Sequence, residues 1–141
     1  MIKTSPWIRE NFTKLQKACA EQGITIKLTE GVRDPATQSA YYAQGREPLA
    51  AVNRLRKEAG LVPIDEKTNR RVVTWTLHSA HIFGFAFDIV LLKEGKAVWE
   101  DDETYQKIAD IGVGLGLHAG HYFTNKAGKR LYDSCHFERK L

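Results

Sequence analysis

The sequence predicts an α+β domain in which helices pack on a small antiparallel sheet, and three observations point there. Two cap-plus-proline signatures, Thr4/Ser5 before Pro6 and Asp34 before Pro35, each open a run with helical patterning. One long apolar segment, IFGFAFDIVLL (Ile82 to Leu92), reads as a strand and runs into the hairpin turn KEGK. No internal repeat, low-complexity tract or linker interrupts the chain, so residues 1–141 read as a single domain.

The elements follow in order. Ile8, Phe12, Leu15 and Cys19 recur at helical spacing with Trp7 and Ala18 beside them, giving a first helix that stops near Gly23. ITIKLTEG alternates as a short strand ending in a turn. A second helix, ATQSAYYAQ, runs to Gly45, and a third, PLAAVNRLRKEAG, closes at Gly60. The polar stretch from Leu61 to Leu77 is expected to be an exposed loop with one short strand. After the main strand, AVWE forms the second arm of a hairpin. Asp101 or Asp102 then caps a helix through TYQKIADIGVGLG, whose glycines imply close packing or a frayed end. The tail is expected to form two short strands around the turn NKAGK.

Composition narrows the function. With 43% hydrophobic residues the 141-residue chain can build a core without covalent staples, so Cys19 and Cys135 are expected to be free thiols. A net charge of +4 tolerates an acidic partner such as an anionic wall polymer. No zinc finger, aromatic RNA-binding motif or long basic run is present, which argues against nucleic acid. No apolar run approaches the ~20 residues of a membrane span, so no stable membrane association is expected. The N-terminal MIKTSPWIRENF lacks an apolar signal region, so the protein is expected to begin in a cytoplasm and to need another route to any external target.

Asp88 stands out inside the strand. Read with period two, Phe83, Phe85 and Phe87 share one face, and Gly84, Ala86 and Asp88 the other. A buried carboxylate is costly unless it is paired or holds a metal. The candidate partners are His78, His81, His118, His121 and His136. His81 lies seven positions before Asp88, and Gly84 between them would let the chain bend. A terminal strand could bring His136 alongside. Two imidazoles and one carboxylate make a three-ligand zinc site with a position left for water, whose pKa then falls to ~7. Asp133, three residues before His136, is placed to act as general base for that water. His78 rivals His81, while His118 and His121 read as surface or hydrogen-bonded residues. Non-haem iron can use two His and one carboxylate, but usually with a His and the carboxylate one residue apart on a β-barrel, which fits poorly here.

The pattern Ser79-x-His81-x-x-Gly84-x-Ala86-x-Asp88, followed by Asp133-x-x-His136, resembles the zinc peptidases of peptidoglycan. That family includes D-Ala-D-Ala carboxypeptidases, vancomycin-resistance dipeptidases and the L-alanyl-D-glutamate endopeptidases of phage endolysins, with a hedgehog/D,D-peptidase-like fold. TEGVRDPATQSAYYAQGR resembles its other signature, an Arg followed five residues later by Gln, so the likeness runs from about Ile24 to Glu138. The resemblance implies that His81, Asp88 and His136 bind zinc and that Asp133 is the catalytic carboxylate. It further implies that Arg33 stabilises the oxyanion or holds the substrate carbonyl, that Gln38 supports Arg33, and that Ser79 hydrogen-bonds substrate. Without it, Arg33 reads equally as an ion-pair partner of Asp34 or Glu30, and Ser79 as a turn residue.

The sequence departs from the family at two places. A Trp-Gly-Gly-Asp-Trp-like stretch reads His118-Ala119-Gly120-His121-Tyr122, and the usual Pro before the last ligand is Cys135. The segment from Glu47 to Thr76 is also longer than a minimal member requires. The expected activity is a monomeric zinc endopeptidase cutting the L-alanyl-D-glutamate bond of the peptidoglycan stem, as a phage or prophage endolysin. It would wait in the host cytoplasm and reach the wall through a holin lesion. A D,D-carboxypeptidase or dipeptidase is the rival within the family. A zinc-containing module that binds the wall without cutting it is the rival from another class, against which Asp133 argues.

Overall fold

The computed structural model describes residues 2–74, 76 and 79–140. His78, the rival metal ligand, lies outside the described residues. The chain forms two compact units, Met1–Val32 with Phe83–Leu141, and Arg33–Ile82.

The first unit is built on an antiparallel sheet. Its helix α1 (Pro6–Glu21) starts where Ser5 accepts a hydrogen bond from the Ile8 amide, with Pro6 in the first turn. Ile8, Leu15 and Cys19 are the buried stripe, as the spacing requires. Strand β1 (Thr25–Glu30) pairs with β2 (Ala86–Lys93), which also pairs with β3 (Lys96–Val98) and β5 (His136–Arg139). Strand β4 (Leu117–Ala119) closes the path β1-β2-β5-β4. Helix α5 (Asp102–Gly114) is capped by Asp101, which accepts from the Thr104 amide.

The core of this unit sits on one face of the sheet. Phe87 and Phe137 are register partners and stack with ring centroids 5.8 Å apart. The helix glycine Gly112 is there for approach: a Cβ would lie 2.5 Å from the Phe137 ring. Tyr105 of α5 is buried, yet both hydrogen-bonding capacities of its hydroxyl are used. The hydroxyl accepts from the Leu91 amide at 3.0 Å and donates to the Val98 carbonyl at 2.8 Å.

The second unit carries α2 (Pro35–Ala43), α3 (Leu49–Glu58) and the one-turn α4 (Glu66–Asn69). Asp34 caps α2 through the Thr37 amide at 2.8 Å. Among its described residues the buried apolar ones are few and small (Ala40, Ala43 and Val52), and polar side chains bind its loops. Gln44 donates to the Thr68 and Arg71 carbonyls, Asn69 to the Glu47 carbonyl, and Arg56 to the Val62 carbonyl at 2.6 Å. Asn53 bonds both the amide and the carbonyl of Ile64. Such ties satisfy backbone groups that neither helix nor sheet would reach.

Three expectations need correction. The main strand begins at Ala86, not Ile82, because residues 81–84 form turns in which Gly84 takes φ +77°. Phe83 is therefore exposed rather than part of an apolar face. Among the described residues between Leu61 and Leu77 the chain makes α4, capped by Asp65, and no strand. The two tail strands are β4 and β5, which flank NKAGK and pair with each other. They do not reach the turn itself, where the pairing is a single bridge, Thr124 to Arg130, and Asn125 accepts from the amides of Ala127 and Lys129.

Candidate metal centre

Directly opposed residues of an antiparallel pair share a face of the sheet, as do residues two apart on one strand. Asp88 of β2 opposes His136 of β5, and Ala86 opposes Glu138. Glu138 is in turn opposed by His118 of β4, and Glu30 of β1 opposes Asp88 beyond a register shift at Thr29. The face turned away from Phe87 and Phe137 thus carries two rows, Glu30–Asp88–His136 and Ala86–Glu138–His118.

His136 is buried and touched at both ring nitrogens. Nδ1 lies 3.2 Å from Asp88 Oδ1, and Nε2 lies 2.7 Å from Glu138 Oε1. Burial opposes charge on this ring, but the hydrogen bonds to Asp88 and Glu138 outweigh it and raise its pKa to about 10. The ligand atoms of His81, Asp88 and His136 all lie within 4.8 Å of one another. His81 is 2% exposed. Its amide donates to Ser79 Oγ at 3.2 Å and its carbonyl accepts from the Arg33 amide at 3.0 Å, which fixes the turn that presents it.

Gly84 is required by the turn that precedes β2. Its left-handed φ favours glycine, and a Cβ would lie 2.9 Å from that of Ser5. The Ser5 hydroxyl donates to the Gly84 carbonyl at 2.6 Å, so the cap of α1 also anchors the turn before β2.

Asp133 is exposed, and its backbone is held on both sides. Its amide donates to the Gly120 carbonyl, and its carbonyl accepts from the His136 amide, each at 3.1 Å. A Cβ at Gly120 would meet the Asp133 carbonyl oxygen at 2.2 Å, so this approach is open only to glycine. Cys135 occupies the position between Asp133 and the ladder, and burial beside Asp88 and Asp133 holds its thiol well above the usual range. Both cysteines are free, as expected.

Arg33 is buried, and its Nη1 donates to Gln38 Oε1 at 2.7 Å, one helical turn along. Its guanidinium also lies 4.9 Å from the Tyr41 ring centroid. Gln38, fully buried, passes the connection on: its amide donates to the Thr76 carbonyl at 2.6 Å and to Thr74 Oγ1 at 3.1 Å. The structure therefore joins Arg33 to Gln38, and Ser79 to His81, within the segment 33–82.

His121 is buried and hydrogen-bonded, with Nδ1 2.8 Å from Ser134 Oγ. Burial, reinforced by the nearby Arg130, lowers its pKa. His118 packs edge-on against Phe123 at 4.5 Å. Two residues escaped the sequence reading. Glu138 contacts a candidate ligand and Gly120 seats the candidate base, and period two from His136 alone would have placed Glu138 on the ligand face.

The donor set fits zinc: two buried imidazoles and a carboxylate converge, as three-ligand sites with an open position require. No protein-family model matches the chain. In sequence it is 26% identical over 144 residues, covering 94% of this chain and 71% of the relative, to the peptidoglycan L-alanyl-D-glutamate endopeptidase CwlK of Bacillus subtilis. In structure it is similar to the Serratia marcescens L-Ala D-Glu endopeptidase ChiX, with a TM-score of 0.56 and 16% identity over 99% of this chain and 90% of that one. A second similar structure is the vancomycin-resistance D,D-pentapeptidase VanY, solved with Zn(II), with a TM-score of 0.59 and 16% identity over 98% of this chain and 73% of that one. The chain resembles the zinc peptidoglycan peptidases in sequence and has their hedgehog/D,D-peptidase-like α+β fold.

Proposed function

We propose that the chain is a zinc-dependent peptidase of peptidoglycan that cuts the stem peptide at its L-alanyl-D-glutamate bond. The observation that carries the proposal is the convergence of His81, Asp88 and His136 with Asp133 held three residues before the last of them. The names of CwlK and ChiX supply the choice of bond.

His81, Asp88 and His136 would hold the zinc. When bound, zinc lowers the pKa of a water and polarises a carbonyl. Asp133, exposed and fixed through its backbone, accepts a proton from the attacking water and returns it to the departing amine. Arg33 donates to the substrate carbonyl oxygen, where negative charge develops, and Gln38 fixes the orientation of its guanidinium. Ser79 Oγ accepts from the His81 amide, leaving its O–H as the donor proposed for the substrate. Residues 1–141 act as one domain and as a monomer, with no nucleic acid partner. Among the described residues no helix is long and apolar enough to cross a membrane. The role proposed in the cell is that of an endolysin that meets the wall after a holin opens the membrane, and it rests on the motif resemblance.

Mass spectrometry of purified peptidoglycan after digestion tests the bond. New L-alanine C-termini and D-glutamate N-termini are expected. Release of terminal D-alanine alone would instead support a D,D-carboxypeptidase, the activity class nearest to the neighbour seen with D-alanine-D-alanine. Intact peptides with wall-bound protein would support the binding module.

A further inference from the structure

The second ring nitrogen of His136 has a partner that the proposed mechanism does not use. Glu138 lies two residues along β5, so its side chain leaves the same face of the sheet as His136. Ala86, opposite Glu138 on β2, presents only a methyl group and leaves the carboxylate room to lean toward the ring. Oε1 reaches Nε2 at 2.7 Å, the length of a charge-assisted hydrogen bond. The glutamate side chain is 25% exposed, so this bond is partly shielded from water. A glutamate on an exposed strand end would ordinarily stay solvated, because holding it costs rotamer entropy.

The arrangement discriminates between the two nitrogens. Nδ1 faces Asp88, the other candidate ligand, and Nε2 faces Glu138. A ligating histidine must present one bare nitrogen, and which one is bare depends on where the other proton is held. We infer that Glu138 is a positioning residue: it accepts the Nε2 proton of His136, fixes the ring plane, and reserves Nδ1 for the metal.

The inference rests on the zinc reading above, and the test separates the two. Zinc affinity is measured by competition with a chromophoric chelator for the parent, Glu138→Ala, Glu138→Gln and His136→Ala. Glu138→Ala is expected to weaken zinc binding about 10–100-fold. Glu138→Gln keeps an oxygen acceptor for Nε2–H and is expected to recover part of that loss. Long-range 1H–15N spectra of the zinc-loaded parent and Glu138→Gln proteins should show His136 protonated at Nε2 and bare at Nδ1. Zinc binding that is unchanged or tighter in Glu138→Ala, or a bare Nε2 in the parent, overturns the inference while a loss in His136→Ala leaves the metal site standing. If His136→Ala also binds zinc normally, the zinc reading itself fails. Should Glu138→Ala not fold, the affinity and tautomer of Glu138→Gln decide the matter.

Discussion

Asp88 and His136 are direct partners across the β2–β5 ladder, with Asp88 Oδ1 3.2 Å from His136 Nδ1. Two candidate ligands are therefore set by sheet register rather than by loop conformation. The Phe87–Phe137 pair beside them makes that register expensive to change, since a one-residue slip would turn the phenyl rings out of the core and His136 into it. The core packing on one face thus aligns the candidate ligands on the other.

Metal content tests this directly. The purified protein is expected to carry about one zinc per chain, and His81→Ala or His136→Ala should lose it. His78→Ala should keep it. Elemental analysis after dialysis reads the result, and loss in His78→Ala with retention in His81→Ala would assign the wrong histidine to the site.

In the proposed mechanism Asp133 separates cutting from binding. Asp133→Asn keeps size and shape but cannot accept the proton, so peptide-bond cleavage should fall roughly 10²–10⁴-fold with zinc content unchanged. A fragment-release assay on purified wall measures this. Near-parental cleavage would remove Asp133 from the mechanism.

How much of this was legible in the sequence depended on how local the cause is. Ser5, Asp34 and Asp101 cap helices through the amide three residues on, so the signals at 5–6 and 34–35 read correctly. His81, Asp88 and His136 stood out because few other roles suit that residue set around a strand. The strand start is hidden in the sequence because alternation of Phe83, Phe85 and Phe87 persists through a turn, and only the left-handed Gly84 breaks it. Helix α4 spans four residues, too short for any periodicity to register. The side-chain ties of Gln44, Asn53 and Asn69 span 11 to 27 residues and leave no local trace. Gly120 is the extreme case, since its need for glycine comes from the Asp133 carbonyl in another loop.

Asp101 gives the fold a measurable acid sensitivity. Its carboxylate accepts from Lys93 and from the hydroxyl and amide of Thr104, and these bonds lower its pKa to about 2. A carboxylate depressed in the folded state stabilises the fold above its unfolded pKa near 3.9, and that contribution fades as pH falls toward about 2. Asp101→Ala should therefore melt a few degrees lower at neutral pH, as loss of a helix cap does. The gap should shrink between about pH 4 and pH 2. Paired thermal melts across that range read it, and a gap independent of pH would show that the charge of Asp101 contributes nothing.

The role proposed for Arg33 concerns the charge that develops during the reaction. Attack of water on an amide builds negative charge on the carbonyl oxygen, and a guanidinium aimed there binds the transition state more tightly than the ground state. Loss of the guanidinium in Arg33→Ala should then appear mainly in kcat. Arg33→Lys keeps the charge but not the planar fork that meets Gln38 at 2.7 Å, so it should recover little. Gln38→Ala leaves the cation in place without its anchor, and the loss of a hydrogen bond to a charged group, about 1.5–3 kcal/mol, corresponds to roughly a 10–100-fold fall in turnover. All three variants should keep stoichiometric zinc. Arg33 and Gln38 are both buried, so each variant's melting temperature must be compared with its activity at a temperature where it remains folded. Full activity in Arg33→Lys, or activity losses that vanish once folded protein is counted, would make Arg33 a structural residue of its segment and leave the developing charge to other groups.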